Sequence, residues 1–165
     1  MKTIWLIRHA KSSWKNMSLR DFERPLNSRG KRDAPLMGKK LFESGFMPDM
    51  VFSSPAKRAR ITAIEICKAT HFPVNDIIWE QMIYGASSLN LLSLINKLND
   101  EIQSVCIFGH NPTLTDFSNY LGGDNIYNIP TCGVVEISFE TDHWSEISKD
   151  LGTLESFDYP KRHIS

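Results

Sequence analysis

Hydrophobic positions along the chain switch between two periods. Thr3 to Ile7 is a short apolar run rich in β-branched and aromatic side chains, which predicts a buried strand. From about Gly30 to Ser44 the period lengthens: Ala34, Met37 and Leu41 share a helical face, with Gly45 as a stop. Pro35 suits that helix only in its first turn, which places the start near Lys31. Met50 to Ser53 predicts a second strand. Pro55 then opens a helix that turns Ala59, Ala63 and Ile66 inward and runs to about Ala69. The stretch from Pro73 to Tyr84 is irregular, with a short edge strand at Ile77 to Trp79. Leu89, Leu92, Ile95 and Ile102 bracket a helix ending near Leu98, and Val105 to Phe108 is a third buried strand. Pro112 starts a helix in which Leu114, Phe117 and Leu121 share a face, ended by Gly122-Gly123. Val135, Ile137 and Phe139 alternate with Glu136 and Ser138 as a half-exposed strand. A turn at Thr141-Asp142 would return the chain as an antiparallel partner around Trp144 to Ser148, and Lys161 to Ser165 reads as a solvated tail.

Strands that alternate with amphipathic helices imply an α/β fold. The expected architecture is a three-layer sandwich, with a mostly parallel central sheet, an antiparallel edge strand and helices on both faces. Residues 1–165 show no repeat, low-complexity segment or domain-scale linker, so one domain is expected. The polar stretch from Arg8 to Arg29 is too long and too charged for a simple turn and reads as a functional loop.

Charge narrows the function classes. Lys and Arg total 19 and Asp and Glu also 19, so there is neither a basic nucleic-acid footprint nor an acidic disordered character. No apolar run approaches the ~20 residues that span a bilayer, so no membrane partner is expected. The short apolar run at the N-terminus is ended by Arg8, unlike a signal peptide. Cys67, Cys106 and Cys132 are odd in number and lack redox or zinc spacing, which points to a reduced, cytoplasmic protein.

In open α/β sheets ligands bind outside the carboxyl ends of the strands. The first strand ends in Arg8-His9, the second in Ser53-Ser54-Pro55 with Arg58 soon after, and the third in Gly109-His110-Asn111-Pro112. Arg58 in a first helical turn opposes the macrodipole, which a nearby anion would offset. Two Arg and two His at one edge would repel one another unless they share a multiply charged anion, and phosphate suits bidentate guanidinium. Phosphoryl transfer needs a nucleophile and positive charge on the equatorial oxygens. Neutral imidazole can accept a phosphoryl group, so His9 is a candidate covalent nucleophile, with Arg8, Arg58 and His110 as phosphate-binding groups. There is no Walker loop, magnesium-type acidic pair or cysteine nucleophile motif, which favours a route with no metal and no cofactor.

These segments resemble the histidine phosphatase (phosphoglycerate mutase-like) superfamily. Arg8-His9-Ala10 is similar to its Arg-His-Gly signature, Ser54-Pro55 through Arg58-Ala59 to Thr62 to its second motif, and Gly109-His110-Asn111-Pro112 to its third. Arg24-Pro25-Leu26-Asn27-Ser28-Arg29-Gly30 and the modest length resemble the SixA-like phosphohistidine phosphatases. The resemblance covers nearly the whole chain and implies His9 as nucleophile, with Arg8, Arg58 and His110 on phosphate.

The sequence also departs from the family pattern. Ala10 replaces the usual Gly, and Lys15 stands where mutase-like members often carry a phosphate-binding Asn. Many members carry a Glu general acid shortly before a mid-chain Gly. Here Glu80 lies one residue too far from Gly85, with Gln81 in the nearer place, and Glu80 reads as structural. A phosphoramidate releases imidazole, a better leaving group than alkoxide, so a missing acid fits a phosphohistidine substrate.

The expectation is therefore a metal-independent, monomeric phosphatase acting on a histidine-phosphorylated protein such as a phosphotransfer domain, through a covalent phosphohistidine. Its alternatives are a small-molecule phosphomonoesterase on the same scaffold and a non-catalytic phosphoprotein-binding module. Ser12, Ser13 and Trp14 read either as pocket lining or, for Trp14 at least equally, as a loop Trp packed on the core. Asp21, Glu23 and Arg24 form either a charged lid or plain polar surface. His71, His143 and His163 read as surface, and Cys67 and Cys106 as core.

Overall fold

A computed structural model describes residues 1–164. Its six strands are β1 (Lys2–Arg8), β2 (Met50–Ser53), β3 (Ile78–Trp79), β4 (Ser104–Gly109), β5 (Val134–Phe139) and β6 (Thr153–Asp158). They form one sheet in the order β3-β2-β4-β1-β5-β6. The pairs β3–β2, β2–β4 and β4–β1 are parallel, while β1–β5 and β5–β6 are antiparallel. The expected mostly parallel sheet is present, with two antiparallel strands closing one side.

Strand alternation sorts the core into two layers. Ile4 and Leu6 of β1 and Val105 and Ile107 of β4 face α3 (Ser88–Asn96) and α4 (Thr113–Gly122), meeting Leu91, Ile95, Leu114 and Phe117. Trp5, Ile7, Cys106 and Phe108 point the other way, onto α1 (Ser28–Glu43) and α2 (Lys57–Ala69), against Met37, Leu41, Ala63 and Ile66. A strand buried on both faces carries an unbroken apolar run, which is why β1 and β4 were legible. The packing of α1 on α2 is close: a Cβ on Gly38 would come 2.6 Å from the Ala69 Cβ.

Several boundaries differ from expectation. Helix α1 starts at Ser28, because the Asn27 side chain accepts the Gly30 N–H at 2.9 Å and caps it. Pro35 therefore lies within the helix, on its exposed face. Helix α3 turns Leu91 and Ile95 inward and leaves Leu89 in solvent. The antiparallel partner of β5 is Thr153–Asp158, not Trp144 to Ser148. Trp144 instead sits fully buried in a short 3₁₀ turn, its indole N–H donating to the Ile102 carbonyl at 2.7 Å, so that segment plugs the core. At the C-terminus Pro160 is buried and residues 161–164 are exposed; Ser165 of the expected tail lies outside the described residues. Among the described residues no helix is long and apolar enough to cross a membrane.

Candidate active site

Strand register brings the chemistry together. Arg8 pairs with Gly109 and Ser53 with Phe108, so β1, β2 and β4 end at one level. The ladder continues one residue further: the His9 N–H donates to the Gly109 carbonyl at 3.1 Å and the Ser54 N–H to the Phe108 carbonyl at 3.0 Å. Helix α2 is tied to the same edge. The Ala10 N–H donates to Thr62 Oγ1 at 2.9 Å, and that hydroxyl donates to the Arg58 carbonyl at 2.7 Å. Arg58, one turn before Thr62, is thereby carried into the cluster. Ala10 is fully buried and needs no glycine conformation.

His9 is almost fully buried, and its Nδ1 lies 2.7 Å from the Ala10 carbonyl. A carbonyl can only accept, so Nδ1 carries the proton and Nε2 keeps its lone pair. Burial pushes the His9 pKa down to about 3, and the nearby His110, Arg58 and Arg8 add to the effect, so the ring is neutral at physiological pH. The His110 ring lies 5.2 Å from it, centroid to centroid. Burial and Arg58 lower the His110 pKa to about 4.

His110 Nε2 sits 2.8 Å from Ser54 Oγ, which already accepts the Ala56 N–H at 3.2 Å. A Ser54 hydroxyl that donates to Nε2 leaves Nδ1–H of His110 as a donor with no protein partner. Arg8 Nη1 donates to the Ile129 carbonyl at 2.9 Å, which also receives the Asn111 amide at 2.9 Å. Of the five buried side-chain polar atoms without a partner among the described residues, three are Arg8 Nε, Arg58 Nε and His110 Nδ1. Buried donors are normally paired, so three orphans in one cluster mark a place built for an acceptor-rich group. Burial and mutual repulsion with Arg58 lower the Arg8 pKa, a sign of concentrated positive potential.

The four residues singled out from the sequence, Arg8, His9, Arg58 and His110, do converge. Asp21, read from the sequence as either charged lid or polar surface, is the carboxylate that holds Arg58 in this cluster. Asp21 Oδ2 accepts from Arg58 Nη2 at 2.9 Å and from the Tyr84 hydroxyl at 2.7 Å, and its backbone carbonyl accepts from Arg58 Nη1 at 2.7 Å. Asp21 Oδ1 accepts from Arg24 Nη2 at 3.0 Å, and Arg24 Nη1 donates to Ser12 Oγ at 2.6 Å. Desolvation would raise the Asp21 pKa, but hydrogen bonds from Tyr84, Arg24 and Arg58 outweigh it and hold the carboxyl well below its usual range. Tyr84 packs edge-on against His110 at 5.6 Å and Phe22 at 5.1 Å. Its only sequence signal was its place before Gly85.

Of the charged lid, Asp21 and Arg24 belong to this network, while Glu23 pairs with Arg20 on the surface. Trp14 is 62% exposed and stacks on the Arg24 guanidinium at 3.6 Å. Glu80 caps a short turn by accepting from the Met82 N–H at 3.4 Å and borders a depression with Asn90 and Lys97. His143 and His163 bond Asp100 and Asp158 at the surface, and all three cysteines are buried.

Comparisons with known proteins bear on the family and the fold. The family model for the histidine phosphatase superfamily (branch 1) matches residues 4–82. The crystal structure of a protein assigned as phosphohistidine phosphatase SixA from Agrobacterium tumefaciens is 30% identical, with a TM-score of 0.79 over 96% of this chain and 98% of that one. This chain belongs to the histidine phosphatase superfamily. Within it the chain is SixA-like, and its activity class is that of a phosphatase. The protein histidine phosphatase SixA complexed with tungstate has the same fold, at 20% identity and a TM-score of 0.78. An uncharacterized protein of Mycobacterium tuberculosis is 28% identical over 165 residues, spanning 94% of this chain and all of that protein. The family-model match takes in the ends of the first two of these strands, β1 and β2.

Proposed function

We propose that this SixA-like phosphatase hydrolyses phosphohistidine on a protein partner, with residues 1–165 acting as one catalytic domain. The observation that carries the reading is the protonation pattern of the site. His9 is neutral with Nε2 free, and Asp21, the carboxylate that touches the cluster, is held ionised by Tyr84, Arg24 and Arg58. The site thus offers a nucleophile and positive charge but no carboxylic acid to protonate an alkoxide. A substrate whose leaving group needs little protonation matches it.

In this mechanism the phosphoryl oxygens take the unpartnered donors of Arg8, Arg58 and His110. His9 Nε2 forms a bond to phosphorus as the P–N bond to the substrate imidazole breaks. The substrate reacts as its phosphoimidazolium form, already protonated on the other ring nitrogen, so that imidazole leaves neutral without a proton from the site. Water then attacks the phosphohistidine, releases inorganic phosphate and restores neutral His9. The Nδ1–Ala10 hydrogen bond survives each step, keeps the ring aligned and stabilises the charge that develops on it.

The test compares wild type with His9→Ala, in EDTA, on a histidine-phosphorylated carrier protein and a panel of phosphomonoesters. Preferential release from phosphohistidine, lost in the variant, is expected. Preference for esters would replace this reading with the phosphomonoesterase one, and binding without turnover would leave a phosphoprotein-binding module.

A further inference from the structure

Beside the catalytic cluster the surface opens into a groove of about 450 Å³, lined by Lys11, Ser12, Ser13, Trp14 and Lys15 on one wall and by Pro25 through Ser28 and Lys31 on the other. Its position is tied to the site. Lys11 follows His9 by two residues, Ser12 pairs with Leu26 in an isolated bridge, and Ser12 Oγ holds Arg24, which holds Asp21 and so Arg58. No acidic residue lines the groove.

Among the described residues Lys11, Lys15 and Lys31 make no ion pair. The first turn of α1 also holds no acidic residue, where helices favour acids; Arg29 and Arg32 are offset by buried Asp33, but Lys31 is not. In a chain with a formal net charge of +0 this is a local excess of one sign. Trp14 stands at the rim, already immobilised on Arg24, the kind of aromatic anchor that protein interfaces use.

We infer that this groove docks an acidic segment of the protein that delivers phosphohistidine to the catalytic cluster, with Lys11, Lys15 and Lys31 reading its carboxylates and Trp14 packing on its apolar flank. The inference rests on the phosphohistidine reading. It adds an exosite: recognition outside the reacting centre supplies affinity and steering, while the chemistry stays with His9. A free phosphohistidine molecule reaches only the catalytic cluster and gains nothing from the groove.

The test uses three probes: free phosphohistidine, a phosphohistidine peptide flanked by Glu residues, and the same peptide flanked by Gln. The variant is Ser28→Glu/Lys31→Glu, which reverses the groove charge from α1. Both positions are exposed and acids suit a first helical turn, so the fold should hold. For wild type the KM of the Glu-flanked peptide should be lower, by about tenfold, than that of the Gln-flanked one at low salt. That advantage should vanish in the variant and at high salt, with kcat and the free phosphohistidine kinetics unchanged. Equal KM values for the two peptides in wild type, or an advantage that survives charge reversal, would overturn the exosite. If no phosphohistidine probe is hydrolysed, the catalytic reading fails on its own. Docking is then decided by fluorescence titration of the unphosphorylated Glu-flanked peptide, with Trp14→Phe as the control. Quenching that is lost in Ser28→Glu/Lys31→Glu supports the groove, and no quenching overturns it.

Discussion

Acid should destabilise this protein through the same two imidazoles that form its site. His9 and His110 have pKa values lowered to about 3 and about 4, chiefly by burial, against about 6.5 for an unfolded histidine. The folded pKa lies below the unfolded one, so between them the unfolded chain binds more protons and stability falls as pH falls. The contribution is fully present above the unfolded pKa and is lost progressively from about pH 6.5 downward. At pH 5 both rings are still neutral in the folded state while the unfolded rings are charged. The gap of about 1.5 pH units costs about 2 kcal/mol per histidine, or about 4 kcal/mol together. That figure depends only on the folded values lying below 5, and it is a large share of the ~5–15 kcal/mol of a typical domain. Urea unfolding at pH 7 and pH 5, in buffer free of phosphate, measures it in wild type, His9→Gln and His110→Gln. Each neutral replacement should remove about half of the pH-dependent loss. Histidines elsewhere, such as His143 with its pKa raised by Asp100, are common to all three proteins and cancel in the comparison. A wild-type midpoint that does not move between pH 7 and pH 5, or equal losses in all three proteins, would refute the buried-neutral assignment.

Further consequences can be checked directly. Arg58→Ala should weaken inhibition by phosphate or tungstate about 10- to 100-fold, the worth of one or two charge-assisted hydrogen bonds, as read by competition kinetics. Arg24→Ala removes a buried guanidinium that joins Ser12, Asp21 and Trp14; a loss of about 1–3 kcal/mol in chemical denaturation is expected, and an unchanged midpoint would show the network to be idle. Gly30→Ala would place a Cβ 2.2 Å from the Lys11 carbonyl oxygen. A lowered Tm and a lowered kcat should appear together, because the displaced backbone lies two residues from His9; a normal Tm would contradict the tight packing.

The candidate site residues were legible because each one closes a buried strand or opens a helix. An apolar run such as Val105 to Phe108 that ends in Gly-His-Asn-Pro announces both its own burial and the edge at which its chemistry emerges. That Asp21 and Tyr84 meet was not legible. They lie 63 residues apart in two irregular segments, and nothing periodic in either predicts a hydrogen bond between them. Trp144 shows the same limit, since an aromatic after a turn suits an edge strand and a core plug equally until the space beneath it is known. The sequence by itself determined the helices and every strand but β6, that Arg8, His9, Arg58 and His110 share one sheet edge, and the family those motifs resemble. Tertiary structure alone decided which imidazole nitrogen is free, which donors lack partners and that Asp21 is ionised. Those properties depend on distances and desolvation between segments far apart in the chain, quantities that local pattern does not encode.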